Sequence, residues 1–298
     1  MELTEPRPKK KCRLTENLPL PMIFKKDGTL RQFKGEFNGF SVVVEDEEDM
    51  KHLISMGYFG KANLSRSYPQ FNQSKTEIIR ERQYCKRKEL AEKFSDKKSR
   101  KKVIVVPDSD EDEDYFTNLQ AKYQIDESGI KETVWLGLEE AFFLAGAVNC
   151  LNIYYQGRCL GLDEAWSLFT TNDSNFIYNY VVYYYFRAKN WVVKPGIKFG
   201  GDFLLYKQGP PFYHASYVVI IDIVNENLER IHERRSMDNI PLLGLNRLCE
   251  TAGKELLVCQ VIWPRNAQID YKNISQVVIK ETLLRRWISN QERNPEHT

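Results

Sequence analysis

No stretch of this chain approaches the roughly 18 consecutive apolar residues that a membrane-crossing helix requires, so none is expected and no membrane partner is predicted. The opening MELTEPRPKKKCR is basic, but no apolar segment follows it, so no secretory signal is expected either. The six cysteines (Cys12, Cys85, Cys150, Cys159, Cys249, Cys259) include no Cys-x-x-Cys pair and no paired Cys/His ligand spacing. That argues against structural zinc and predicts a reducing compartment, with neither metal nor cofactor expected. A metal-dependent nuclease of the restriction-enzyme type is disfavoured too, because Asp202 and Asp222 lie near strands but no Glu-x-Lys follows at a workable place. Histidine is also scarce. Of His52, His214, His232 and His297, three lie in charged or terminal sequence, and only His214 stands at the mouth of a strand-like run.

Charge is plentiful and segregated, although the net charge is only +2. Lys75 to Lys102 holds twelve Lys/Arg against five Asp/Glu, and Asp108 to Asp114 reads DSDEDED, six acids around Ser109. Blocks of like charge repel one another and do not form a core, so this region reads as a linker. Between the blocks, Val103 to Val106 is a β-branched tetrapeptide beside acid. It resembles a SUMO-interacting motif, which would add a strand to a partner's sheet, although an ordinary linker explains it as well. The runs Arg7 to Arg13 and Lys97 to Lys102 read as nuclear-import signals or nucleic-acid patches, and a nuclear location is expected.

Hydrophobic periodicity divides the rest. Residues 1–17 read as a basic disordered tail, 18–72 as a small mixed α/β domain, and 73–130 as a charged helix and disordered linker; 131–292 form the main domain, and 293–298 a tail. In the first domain, Phe40 to Val44 reads as a strand and the following acidic stretch as a helix ending at Gly57. The main domain opens with three helical patterns: VWLGLEEAFFLAGAVNCL, LGLDEAWSLFTTND and NDSNFIYNYVVYYYFRAKNW. The tyrosines of the third (178, 180, 183, 184, 185) wrap too much of the helix for one face, so they read as core or interface rather than base-stacking platforms. After Trp191 the period changes to two, giving strands with one inserted helix. The fold class is α+β, helices leading into a mixed β-sheet. The charged loop from Asn225 to Asn239 matches no readable pattern.

Within the sheet region, GGDFLLYKQGPPFYHASYVVII carries Tyr206 at the end of one apolar run and His214, eight residues later, before the next. On position alone His214 fits a packed core residue. The run nevertheless resembles the core motif of the tRNA-splicing endonucleases, with its tyrosine, its histidine in HASY and a lysine, Lys254, opening a later strand in GKELLVCQVIWP. The resemblance extends to LEEAFFLAGAVNCLNIYY and WSLFTTNDSNFIYNYVVYYYFRAKNWVVKPGIKFG. It also reaches the N-terminal GYFGKANLSRSYPQF, which resembles the front domain of the catalytic subunit that cuts the 5′ splice site. The segment between the two blocks is short, where relatives often carry a long low-complexity insert.

The resemblance implies a C-terminal nuclease domain that cleaves precursor tRNA at the 5′ exon–intron junction without metal. It further implies Tyr206 as general base, His214 as general acid and Lys254 as electrostatic stabiliser, with products ending in a 2′,3′-cyclic phosphate and a 5′-hydroxyl. Metal-free RNA cleavage needs these three functions, although the residues alone leave the division of base and acid roles open. Arg247 and Trp287 match an arginine and a tryptophan that clamp a bulged intron nucleotide, and such a clamp serves the sister subunit's cut. The implied assembly is a hetero-oligomer with a second catalytic subunit and two structural subunits. The alternative is a non-catalytic structural or RNA-binding subunit of the same assembly, which would not be expected to hold the Tyr/His/Lys set.

Overall fold

A computed structural model describes residues 6–9, 19–63, 85, 101–105, 122–126, 133–265 and 269–285. The chain forms two units, residues 20–160 and residues 161–298 together with 1–19.

In the first unit, FKGEF makes β1 (Phe33–Phe37), whose burial alternates residue by residue, placing Phe33 and Phe37 inside. β2 (Val42–Val44) pairs antiparallel with it. Helix α1 (Glu47–Ser55) starts at Asp46, whose carboxylate accepts the Asp49 N–H at 2.9 Å, and three acids in its first turn face the helix's positive end. β3 (Lys61–Ala62) follows. β4 (Lys101–Val105) and β5 (Lys122–Asp126) form a separate antiparallel pair, so Val103 to Val105 of the aliphatic tetrad are strand, whereas Val106, Ser109 and the acidic run lie outside the described residues.

The segment expected to open the second domain as one helix divides into several elements. Val134–Leu136 is a strand, β6, paired with β2 and β3; Leu138–Phe142 is α2, continued by a π-turn over Phe143–Ala147; and Leu151–Tyr155 is β7, pairing with β1 in parallel and with β8 (Arg158–Cys159). Buried Glu140 explains the break, because its carboxylate accepts the N–H groups of Gly137 and Gly60 and so fixes the helix start at residue 138. The sheet order β3-β6-β2-β1-β7-β8 shows why the unit boundary falls at Leu160 and Gly161 rather than at 131: three of the six strands come from residues 134–159.

The second unit begins with α3 (Leu162–Asn172) and α4 (Phe176–Ala188), as the two helical patterns predict. Tyr180 and Tyr183 of α4 are buried, Tyr178 stacks on His232 and meets Trp263 edge-on, and the Tyr185 hydroxyl donates to Glu281 at 2.7 Å. The tyrosine run is packing. Next come β9 (Val192–Pro195), a 3-10 turn (Ile197–Phe199), β10 (Phe203–Tyr206), β11 (Tyr217–Val224), β12 (Arg230–His232), α5 (Asn239–Thr251), β13 (Glu255–Ile262) and β14 (Val278–Leu284). The sheet runs β14-β13-β11-β10-β9, with β12 beside the end of β11. Every residue of β11 is buried, as a strand covered on both faces must be. Leu204, Val218, Ile220, Leu256 and Val258 pack with Cys249 and Leu245 of α5 on one face, while Phe203 and Tyr217 meet Tyr183 and Trp191 on the other.

The uninterpreted loop at 225–239 proves to be an arginine clasp. Asp202, before β10, accepts the Ile221 N–H at 2.8 Å and pairs with Arg235 at 2.9 Å and Arg234 at 3.4 Å; Arg234 also donates to Asn179, and Arg230 pairs with Asp222 at 3.2 Å. The Asp202 side chain is only 11% exposed, so its charge is neutralised by these arginines rather than by water. Asp202→Ala should therefore lower stability by about 3 kcal/mol, because two half-buried guanidinium groups lose their partner. A urea unfolding midpoint that does not move would show the clasp to be ornamental.

Candidate active site at one edge of the second sheet

Strand register brings the candidate residues together. β11 and β13 run parallel with Tyr217 opposite Glu255, and the Glu255 N–H donates to the Ser216 carbonyl at 2.9 Å. Residues just before the two strands thus share one edge of the sheet: His214 and Ser216 before β11, Lys254 before β13. β10 is antiparallel to β11 with Leu205 opposite Tyr217, and the Ser216 N–H donates to the Leu205 carbonyl at 2.9 Å. Tyr206, the last residue of β10, therefore reaches the same edge.

The loop between Tyr206 and His214 is held by its own backbone. Gly209 takes φ +121°, a left-handed conformation that favours glycine, and its carbonyl accepts the N–H groups of both Phe212 and Tyr213 at 3.1 Å. His214 emerges from this turn exposed, which departs from the packed histidine that position alone allowed. Tyr206 is half-buried against the α5-side core. Lys254 follows α5, and its Nζ donates to the Ala252 carbonyl at 2.9 Å at the negative end of that helix. The same ammonium lies 4.2 Å from the centre of the Phe199 ring, a cation–π contact.

Electrostatics at this edge is one-sided. The His214 imidazole is pushed below its ordinary value by burial first, then by Lys9, Lys254 and Arg7. It is therefore neutral at pH 7. Burial raises the Tyr206 phenol, which stays protonated, and burial lowers the Lys254 ammonium. Lys254 acts on His214, whereas Tyr206 is shifted by burial alone.

Two residues of this cluster escaped the sequence reading. Arg7 and Lys9 belong to the stretch read as a disordered basic tail, yet Pro8 forms a β-bridge with Tyr213. The Arg7 carbonyl accepts the His214 N–H at 3.1 Å, and the Lys9 N–H donates to the Phe212 carbonyl at 2.8 Å. Their cationic character was legible, but nothing in the spacing connects them with His214.

Of the other candidates, Arg247 is exposed on α5 and forms no ion pair among the described residues, whereas Trp287 lies outside them. Asp202 and Asp222 are both held by arginine. Among the described residues no group of three or more His, Cys, Asp and Glu side chains has the geometry to hold a metal ion, and no helix is long and apolar enough to cross a membrane.

Residues 176–271 match the tRNA intron endonuclease family through its catalytic C-terminal domain, a span that contains Tyr206, His214, Arg247 and Lys254. The chain is similar to the tRNA-splicing endonuclease subunit Sen2 of Rattus norvegicus, 43% identical over 169 residues, and to that of Gallus gallus, 41% identical over 169 residues. Each match covers 55% of this chain and 36% of the relative, so the matched region spans about a third of those vertebrate proteins. The subunit SEN2 of Saccharomyces cerevisiae is 28% identical over 226 residues, covering 70% of this chain and 56% of the relative. Residues 176–271 thus carry the match to the tRNA intron endonuclease catalytic domain, and the chain resembles the Sen2 subunits of the tRNA-splicing endonuclease.

Proposed function

We propose that this chain is the catalytic subunit that cleaves precursor tRNA at the 5′ exon–intron junction. The observation that carries the reading is the shared sheet edge: Tyr206, His214 and Lys254 reach it from three different strands, within the family-matched domain. A merely structural subunit has no need for that convergence.

The reaction is a transesterification. The 2′-oxygen 5′ of the cut forms a bond to phosphorus as the P–O5′ bond breaks. The 2′-hydroxyl proton goes to a base, the leaving 5′-oxygen takes a proton from an acid, and the products end in a 2′,3′-cyclic phosphate and a 5′-hydroxyl. Lys254 supplies positive charge to the crowded phosphorane oxygens. With Tyr206 as base and His214 as acid, bound phosphate must first raise the histidine, since in the free chain it is neutral. The free-chain directions favour a second division, in which neutral His214 takes the 2′-proton and the Tyr206 phenol protonates the leaving oxygen.

Arg247 with Trp287 would stack a bulged nucleotide, at about 1–3 kcal/mol per stacked base, for the sister subunit's cut. A second catalytic and two structural subunits complete the assembly, which acts in the nucleus. Contact with SUMO through Val103–Val106 would add a strand to the partner's sheet.

Three measurements test the chemistry. Cleavage by the assembled enzyme should survive EDTA, whereas a metal-dependent nuclease would stop. A 2′-deoxy substitution 5′ of the cut should abolish product, because the nucleophile is gone. His214→Ala should preserve assembly and RNA binding while lowering the rate at one junction by about 10²–10⁴-fold. Loss of folding in that variant would return His214 to a packing role.

A 5′-bridging phosphorothiolate divides the acid and base roles, because a thiolate leaves without a proton. If His214 is the acid, this substrate restores His214→Ala towards wild-type rates; if His214 is the base, it restores Tyr206→Phe instead.

A further inference from the structure

The proposed chemistry uses three residues, yet the site holds more positive charge than Lys254 alone. Arg7 and Lys9 arrive from the far end of the chain on a segment docked by a β-bridge, made of two backbone hydrogen bonds, to the loop that presents His214. The docking is specific in register: the Arg7 carbonyl meets His214 itself, and the Lys9 N–H meets the Phe212 carbonyl. An Arg7 Nη1 atom approaches within 3.1 Å of where a Cβ on Gly253 would stand, so the guanidinium lies over the backbone just before Lys254. Arg7 thereby spans from the base of one candidate catalytic residue to the base of another.

Among the described residues no carboxylate lies within ion-pair distance of Arg7, Lys9 or Lys254, although eleven ion pairs form elsewhere. Glu255, the nearest acid in sequence to Lys254, is turned to Arg285 at 2.8 Å. Lys207, the cation on His214's own loop, points to the Tyr213 ring, 5.8 Å from its centre. Ordered cations gathered without acids mark a place for an anion.

We propose that residues Arg7–Lys9 form a cationic strap that completes this active site by binding the RNA backbone phosphates flanking the scissile one. The proposal rests on the nuclease reading above and adds a binding element from outside the family-matched domain. Three functions follow from one segment. Its backbone pins the loop that carries His214. Its side chains neutralise substrate phosphate. Its charge adds to the burial and the Lys254 ammonium that lower the His214 imidazole, so anion binding and protonation of the imidazole are coupled.

The test uses the full chain with its co-purifying subunits and intron-containing precursor tRNA, comparing wild type with Arg7→Gln/Lys9→Gln. These substitutions keep the backbone that docks the strap. At about 0.15 M salt the dissociation constant should rise about tenfold, and the slope of log affinity against log salt should shrink by about 1.5, as expected for two lost phosphate contacts. Arg7→Lys/Lys9→Arg should bind as wild type does.

In the RNA-free protein, the His214 titration followed by NMR should move up towards 6.5 in the glutamine variant, since two of its depressing cations are gone. Unchanged affinity and salt slope, with wild type cleaving normally, would overturn the strap alone. Faster cleavage by the glutamine variant would overturn it too, showing a segment that blocks the site. Wild type that neither binds nor cleaves the RNA would overturn the nuclease reading, and the strap with it.

Discussion

The second unit depends on the parallel pairing of β11 with β13. All eight residues of β11 find partners in β13, from Tyr217 opposite Glu255 to Val224 opposite Ile262, and both faces of β11 are covered. A slip of one residue would reverse which side chains meet α5 and which meet α4, so burial itself fixes the register. Parallel strands must be joined by a crossover, and here β12 and α5 supply it. Both strands consequently begin at the same edge of the sheet. Residues forty apart in sequence, His214 and Lys254, are brought to one place by hydrophobic pairing that involves neither of them.

The same constraint explains why the candidate residues sit at a strand mouth rather than within the core. Inside β11 an unpaired charge would carry a heavy desolvation cost, whereas the loops before β11 and β13 reach water. Lys254 occupies an intermediate position. Its ammonium is partly desolvated, but the Ala252 carbonyl, the end of α5 and the Phe199 ring keep the charge acceptable. The 3-10 turn that carries Phe199 is anchored in turn by Asp202 and the arginine clasp, since the Gly200 carbonyl accepts from Arg235 at 2.6 Å. A loop without a readable sequence pattern thus supports the ring beneath a candidate catalytic lysine.

Much of this was legible because it is periodic. The alternation after Trp191, the continuous apolar run of β11, and the two helices α3 and α4 all follow from spacing. Tyr206, His214 and Lys254 were found through the surrounding motifs. Three features were not legible, each because a non-local contact decides it. A glutamate bridging Gly137 and Gly60 splits an apparently continuous helix into strand and helix. Strands β6 and β7 are claimed by the first sheet, which moves the unit boundary to residue 160. Arg7 to Lys9 dock on Phe212 to His214 through backbone groups, which leave no trace in side-chain patterns.

The charge pattern also constrains how the acid and base roles are read. A neutral imidazole beside a protonated phenol and a charged imidazole beside a phenolate have the same total number of protons. Their populations rise and fall with pH in parallel, so a bell-shaped profile reports the pair and not which member does what. The free chain clearly favours the first form, because burial raises Tyr206 while burial and three cations lower His214. An RNA phosphate placed among Arg7, Lys9 and Lys254 offsets the cations that hold His214 down, and stabilises its charged form. The same anion does nothing to ionise the phenol. Such a phosphate would raise the fraction of His214 that holds a proton to donate without ionising Tyr206, so a Tyr206 base would have to give up its own proton before it could take the 2′-proton. In either division of roles Lys254 would be most valuable in the transition state, where negative charge on the phosphorane oxygens is greatest.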